Sequence, residues 1–225
     1  MCVFHYDLAT TKAFANKFSI PDERNNTRNI LLEKISRLSP SYVVKFDFKP
    51  RYFQDGYTNI LHLTASRDDC CKQGDRIPGI WFHGASANST YNKLLICSAV
   101  NGLGNYCVDS KPNIPRGKWS TVEVSQRPEG AHYIYQVKVG GVLLASMIND
   151  QPRYYARVKV YGSDKWYNTA EGSMRNLVID PNAEGKVPNS DYAFIMFRGS
   201  IGINLTSQFS FILNTSFCIF RLVSM

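Results

Sequence analysis

The stretch YIYQVKVGGVLLASMI, residues 133–148, consists of two alternating apolar runs joined by Gly140-Gly141. Two glycines accept the positive φ angles of a tight primed turn without a steric cost, so the stretch reads as a β-hairpin. Counting outward from the turn sets Val137 opposite Leu144, Tyr135 opposite Ser146 and Tyr133 opposite Ile148, with Lys138 and Gln136 on the other face. The first, largely apolar face is expected to meet the core.

Upstream, LLICSAV, NGLGN and YCV (residues 94–108) suggest a second hairpin whose turn falls in the Asn- and Gly-rich stretch 101–105. With Gly102 at its centre, Cys97 and Cys107 lie directly across from each other. A cross-strand pair at a non-hydrogen-bonded site is within disulfide range, and a Cys97–Cys107 bond is expected. Cys70 and Cys71 leave other pairings open, since four cysteines allow three connectivities. A vicinal Cys70–Cys71 bond ranks last, because it strains the peptide unit. Zinc is disfavoured: no Cys-x-x-Cys step is present, and adjacent cysteines diverge on an extended segment.

Further alternating runs are read at 42–48 (YVVKFDF), 58–64 (TNILHLT), 77–83 (IPGIWFH), 119–126 (WSTVEVSQ), 156–161 and 173–179 (SMRNLVI). Gly, Pro, Asn and Asp clusters separate them. Residues 28–38 (RNILLEKISRL) carry helical spacing at Ile30, Leu31, Lys34, Ile35 and Leu38 and are compatible with a short lead-in helix, a strand or a loop. A chain of 225 residues with 44% hydrophobic and 13% aromatic content can bury a full core. Short strands with regular turns and no interleaved long helix bury their inward residues most simply as two packed antiparallel sheets, so the expected fold class is all-β, a two-sheet sandwich.

The order of YVVKFDFKP, TNILHLT, GDRIPGIWFH, GKWSTVEVSQ, the Gly-Gly hairpin, VKVYGSDKWY and EGSMRNLVI resembles the laminin G-like members of the concanavalin A-like superfamily. The resemblance covers residues 28–180, and rests above all on Gly117-Lys118-Trp119 opening one strand and on Gly172, Met174, Asn176 and Leu177 in the closing one. It implies an antiparallel jelly-roll sandwich that acts as an adhesion or recognition module for glycans or extracellular proteins, in some members with a rim-bound calcium ion. The domain organisation follows: an extension over 1–27, the sandwich over 28–180, and a linker with an apolar tail over 181–225.

Glycosidases of this architecture need two carboxylates flanking a cleft, commonly as Glu-x-Asp-x-x-Glu on one strand, and the run 119–126 holds only Glu123. A hydrolase would have to assemble its acids from separate strands, for instance Glu123 and Asp164. His5, His62, His83 and His132 sit in no nucleophile motif, and His62 and His83, between apolar neighbours, read as hydrogen-bonded structural histidines. Gly102-Leu103-Gly104 lies in a hairpin turn and not at a helix N-terminus, so no phosphate loop is present. Asp68, Asp69 and Asp75 crowd one loop and form the sole candidate metal site, for calcium; turn hydrogen bonds and ion pairs with Arg67, Lys72 and Arg76 are the stronger reading, and no cofactor is expected. For recognition the candidate residues are Trp166, Tyr167, Arg76 and Trp81, since aromatics stack on sugar faces and arginine pairs with acidic groups. Trp81 and Trp119 also suit the core, whereas Trp166 and Tyr167 fall in the polar loop SDKWYNTAEG.

The formal net charge of +8 suits an anionic partner, but Lys and Arg are scattered singly, as on a solvated mixed surface, and nucleic acid is not expected. Four Asn-x-Ser/Thr sequons, at Asn25, Asn88, Asn204 and Asn214, and the cysteine pattern point to secretion. The N-terminal stretch does not read as a signal peptide, which suggests an excerpt of a secreted protein. The apolar stretch after residue 200 is broken by Ser, Thr, Asn, Gln and Arg221, so a membrane span is not expected and a poorly ordered tail is. The combined expectation is a non-catalytic extracellular recognition or adhesion module, carbohydrate-binding, with a structural matrix domain or a glycoside hydrolase as rivals.

Overall fold

A computed structural model describes residues 16–67, 69–84, 89–111, 113–183, 212–214 and 217–219, the last two stretches by backbone alone. In chain order the strands are β1 (Phe18–Ile20), β2 (Arg24–Asn25), β3 (Leu31–Leu38), β4 (Tyr42–Pro50), β5 (Tyr57–Thr64), β6 (Gly79–His83), β7 (Tyr91–Val100), β8 (Leu103–Asp109), β9 (Ile114–Pro115), β10 (Ser120–Glu129), β11 (His132–Val139), β12 (Val142–Asn149), β13 (Tyr155–Tyr161), β14 (Asn168–Thr169), β15 (Gly172–Asp180), β16 (Ile212–Asn214) and β17 (Phe217–Ile219). No helix occurs among the described residues. The sandwich occupies the unit Phe14–Gly185; β16 and β17 pair with each other in a second unit, Met1–Ala13 with Lys186–Met225. Most of the expected tail lies outside the described residues.

The first sheet runs β1-β15-β4-β10-β11-β12, with β2 added beside β15; the second runs β3-β13-β5-β6-β7-β8, with β14 beside β5 and β9 beside β7. Every pairing is antiparallel except that of β14 with β5. The chain is therefore an all-β, antiparallel jelly-roll sandwich. Alternation builds its core: Val44, Phe46 and Phe48 of β4 face inward while Lys45, Asp47 and Lys49 face out, and Val122 and Val124 of β10 continue the dry face. From the second sheet Leu61, Leu63, Ile80, Phe82, Leu94, Ile96, Val158 and Val160 meet them. Phe82 receives Phe48 at 5.8 Å and Phe53 edge-on at 5.1 Å. The Tyr135 hydroxyl of β11 donates across to Ser98 Oγ of β7 at 2.8 Å, which satisfies a polar atom that burial otherwise penalises.

Several local expectations are resolved or corrected. Residues 28–38 settle as strand β3, because β13 offers partners from Tyr155↔Leu38 to Tyr161↔Leu31, and three turns of helical spacing are too short to compete with a full ladder. Part of the segment set apart as an extension, β1 and β2, pairs with β15, so the sheet begins at Phe18. The Gly-Gly hairpin has positive φ at both glycines, 58° and 81°, but its register changes between Val137 and Lys138. Val137 faces Ala145, Tyr135 faces Met147 and Tyr133 faces Asn149, one residue on from the simple count. The extra residue is Leu144; the bulge lets Leu144 and Ala145, neighbours in sequence, both pack on the core. In the second hairpin the turn is only Asn101-Gly102, both with positive φ, and β8 starts at once at Leu103. A register shift between Ser98 and Val100 then brings Cys97 opposite Cys107, where without it Cys97 would face Tyr106. Cys97 and Cys107 are bonded, with S–S 2.09 Å and Cα atoms 4.1 Å apart.

The ranking of cysteine pairs is corrected at Cys70 and Cys71, which are bonded to each other across a cis peptide. The physical reason is one of availability. Cys97 and Cys107 already hold each other on neighbouring strands, and Cys70 and Cys71 share a tight loop in which Asp75 bonds back to Lys72.

Candidate aromatic recognition site

Strand register decides which residues share the outer face of the second sheet. Cross-strand neighbours alternate between faces: Thr58, Phe82 and Leu94 point into the core, and so do Leu61, Ile80 and Ile96. The rows between them point out. One row is Tyr57, His83 and Lys93; the next is Asn59, Trp81, Leu95 and Asp109; the third is His62, Gly79, Cys97 and Cys107. Trp81 is thus only 1% exposed and yet stands outside the main core. Its ring lies across Gly79, where a Cβ would land in the indole, so glycine is required for that close approach.

Two loops, one holding Arg76 and the other residues 162–167, pack over the Asn59, Trp81 and His62 part of the inner two rows. His62, fully buried, contacts Asp164 Oδ2 through Nδ1 at 2.7 Å and the Asp75 carbonyl through Nε2 at 2.7 Å. Both ring nitrogens therefore have oxygen partners within hydrogen-bond distance. Asp164 Oδ1 accepts from the Trp166 and Tyr167 amides at 3.0 Å each, which anchors the aromatic loop to the sheet. His62 is consequently a structural histidine with no nitrogen free for catalysis.

Arg76, 6% exposed, ties the two loops together. Nε donates to the Asp69 carbonyl at 2.8 Å, one terminal nitrogen to Asn105 Oδ1 at 2.7 Å and the other to the Tyr167 hydroxyl at 3.0 Å. The guanidinium carbon sits 4.4 Å from the Trp81 ring centroid, in cation–π range. Tyr167 in turn donates to Asp69 Oδ2 at 2.9 Å, and burial, reinforced by that hydrogen bond, raises its phenol above the ordinary value and keeps it protonated.

The four residues singled out for recognition are therefore brought together, but in two layers. Arg76 and Trp81 form a buried floor, and Trp166 and Tyr167 are half-buried above it, with Trp166 5.5 Å from His62 and Lys165 over its ring at 5.2 Å. The exposed surface belongs to residues that alternation along single strands does not reveal. Tyr57, 44% exposed, stacks on His83 at 4.5 Å and 18°, and Tyr167 meets Tyr57 edge-on at 6.4 Å. Tyr91, two residues before Lys93 on the same face of β7, is 56% exposed. Trp119, by contrast, lies on the first sheet between Lys49 and Arg175, at 4.6 and 4.1 Å.

Trp81 Nε1 and His83 Nδ1, both in this outer layer, are buried with no hydrogen-bond partner among the described residues. Such an atom costs about 1–3 kcal/mol where no partner reaches it. His83 thus contrasts with His62, whose two nitrogens are both satisfied.

Asp68 lies outside the described residues. The Asp69 carboxylate is engaged by Tyr167 and lies 3.9 Å from Arg76, and Asp75, 1% exposed, accepts from Ser66 Oγ and from the Lys72 amide. Among the described residues no three His, Cys, Asp or Glu side chains converge as a metal site would require. Glu123 is on the outer face of the first sheet, paired with Lys45 and Lys138, whereas Asp164 is buried against the second; the two share no cleft. No described helix is long and apolar enough to cross a membrane.

No family model and no curated protein matches the chain. Similar solved structures include a native heptameric SAP-like pentraxin from Limulus polyphemus, at 15% identity over 76% of this chain and 77% of that one, TM-score 0.47. The CBM40 of a Ruminococcus gnavus IT-sialidase, bound to α2,3 sialyllactose, is similar at 10% identity over 75% of this chain and 95% of that one, TM-score 0.42. An alginate lyase from Alteromonas sp. 272 is similar at 11% identity over 64% and 74%, TM-score 0.42.

Proposed function

We propose that this chain is a non-catalytic recognition module, laminin G-like in its motif order, that binds a saccharide on the outer face of its second sheet. The observation that carries this reading is the exposed Tyr57–His83 stack, braced edge-on by Tyr167 and seated on rigid strands. Flat, half-exposed rings held at fixed positions suit the apolar faces of sugar rings, and their ordering is already met in the free protein. Tyr167 is fixed by Asp69 and Arg76, so it serves chiefly to hold the platform. The separation of Glu123 from Asp164 and the full engagement of His62 support binding without catalysis. Two disulfides support an oxidising, extracellular setting. Asp75 is buried with both carboxylate oxygens bonded, and binding is proposed to need no calcium.

A glycan-array screen of the full chain, with and without chelator, tests the reading. Saturable binding that persists in chelator and falls about tenfold in Tyr57→Ala or Tyr91→Ala is expected, the effect of removing one well-packed aromatic contact. Absence of any saturable glycan signal overturns the proposal. The Trp166→Ala variant is expected to weaken binding less, because that ring packs on His62 and not on the exposed row.

A further inference from the structure

We infer that the saccharide recognised by this face carries an anionic group, a carboxylate or sulfate, that is met by Lys93; the inference rests on the saccharide-binding reading above. Lys93 continues the row that holds Tyr57 and His83, so a ring stacked on that row has its substituents within reach of the ammonium group. Its surroundings are cationic. Ser110 bonds through its amide to the Leu94 carbonyl and through Oγ to the Leu94 amide, which brings exposed Lys111 alongside Lys93. The Arg116 amide bonds to the Thr90 carbonyl, so this exposed arginine stands opposite Thr90, one residue off the row of Tyr91 and Lys93. None of Lys93, Lys111 and Arg116 takes part in an ion pair among the described residues.

Four outward cations of the first sheet are neutralised locally. On the first sheet Lys45 and Lys138 flank Glu123, Lys49 pairs with Glu23, and Arg175 pairs with Asp47. Near the aromatic row the carboxylates are Asp109, one row further along at the β8 edge, and Asp55, two residues before Tyr57. Neither reaches Lys93. An unpaired ammonium beside a stacking platform provides a charge-assisted hydrogen bond to an anionic substituent, while a neutral sugar would gain only the ring contact.

The test titrates the full chain by calorimetry with four probes: an oligogalacturonate, its methyl ester, a sulfated galactan oligomer and a neutral galactan oligomer. Expected is binding of one or both acidic probes about tenfold tighter than of the matching neutral probe, weakening with added salt. The preferred acid identifies carboxylate or sulfate as the anion. Lys93→Gln should remove this preference and leave neutral binding unchanged, whereas Lys45→Gln, which alters net charge equally on the other sheet, should leave the preference intact. Equal affinity for acid and neutral probes, or an equal loss in Lys45→Gln, overturns this inference and leaves the saccharide site standing. Failure of all four probes to bind the wild-type chain counts against both.

Discussion

Asp47 on β4 shows how a single outward carboxylate is held in this fold. It accepts from Thr121 Oγ1 at 2.7 Å, Asn176 Nδ2 at 2.8 Å and Arg175 Nε at 3.3 Å. Partial burial pushes its carboxyl up, but these hydrogen bonds and the Arg175 charge outweigh burial and hold it below the ordinary 3.8. A lowered carboxyl binds its proton less readily folded than unfolded, so its contribution is complete above the ordinary aspartate range and is lost as pH falls through the folded value. Asp47→Asn should therefore flatten the acid limb of a stability-against-pH curve below about pH 4 while changing little near pH 7 beyond a constant offset; an unaltered acid limb in urea melts would contradict this assignment. At the same scale, residue types alone pointed to Trp166, Tyr167, Arg76 and Trp81, and the structure does gather them. Their division into a buried floor and a half-buried cover was not legible, because Trp81 packs against Tyr167 from a loop far away in sequence.

Among the elements, the β7–β8 hairpin shows how a bulge controls chemistry. The shift at Ala99 aligns Cys97 with Cys107, and the bond between them closes a short loop on the outer face. A Cys97→Ala, Cys107→Ala double variant is expected to lose about 3 kcal/mol in denaturant melts, the amount associated with cross-linking a loop of this size. A loss near zero would mean that strand pairing alone already restrains this hairpin in the unfolded chain. Both hairpins were readable from glycine and asparagine chemistry, and so was the Cys97–Cys107 pairing, yet each ladder carries a one-residue bulge and the first departs from its simple count. Alternation specifies a face, but a bulge inserts a residue according to what the opposite sheet can accommodate, which local pattern does not record. Strand β3 makes the related point: its helical spacing was overridden once β13 became its neighbour.

For the whole molecule, cohesion depends on contact between the two sheets, most densely where Phe82 receives Phe48 and Phe53. Phe82→Ala is expected to cost about 3–5 kcal/mol and to lower the thermal midpoint of the entire sandwich in one transition, since it leaves a cavity at the seam. A local change, seen as loss of only the second sheet's near-ultraviolet signal, would show that the sheets melt separately. The two-sheet architecture was legible because period-two alternation, glycine turns and the lack of a long amphipathic helix are properties of consecutive residues. By itself, then, the sequence determined the class of fold, the main strands from Tyr42 to Asp180 and the places of two glycine turns. Tertiary structure alone decided that Tyr57, His83 and Lys93 form one row and that Tyr91 stands beside it. These residues lie on three strands, and which strands become neighbours is settled by the packing of the whole core.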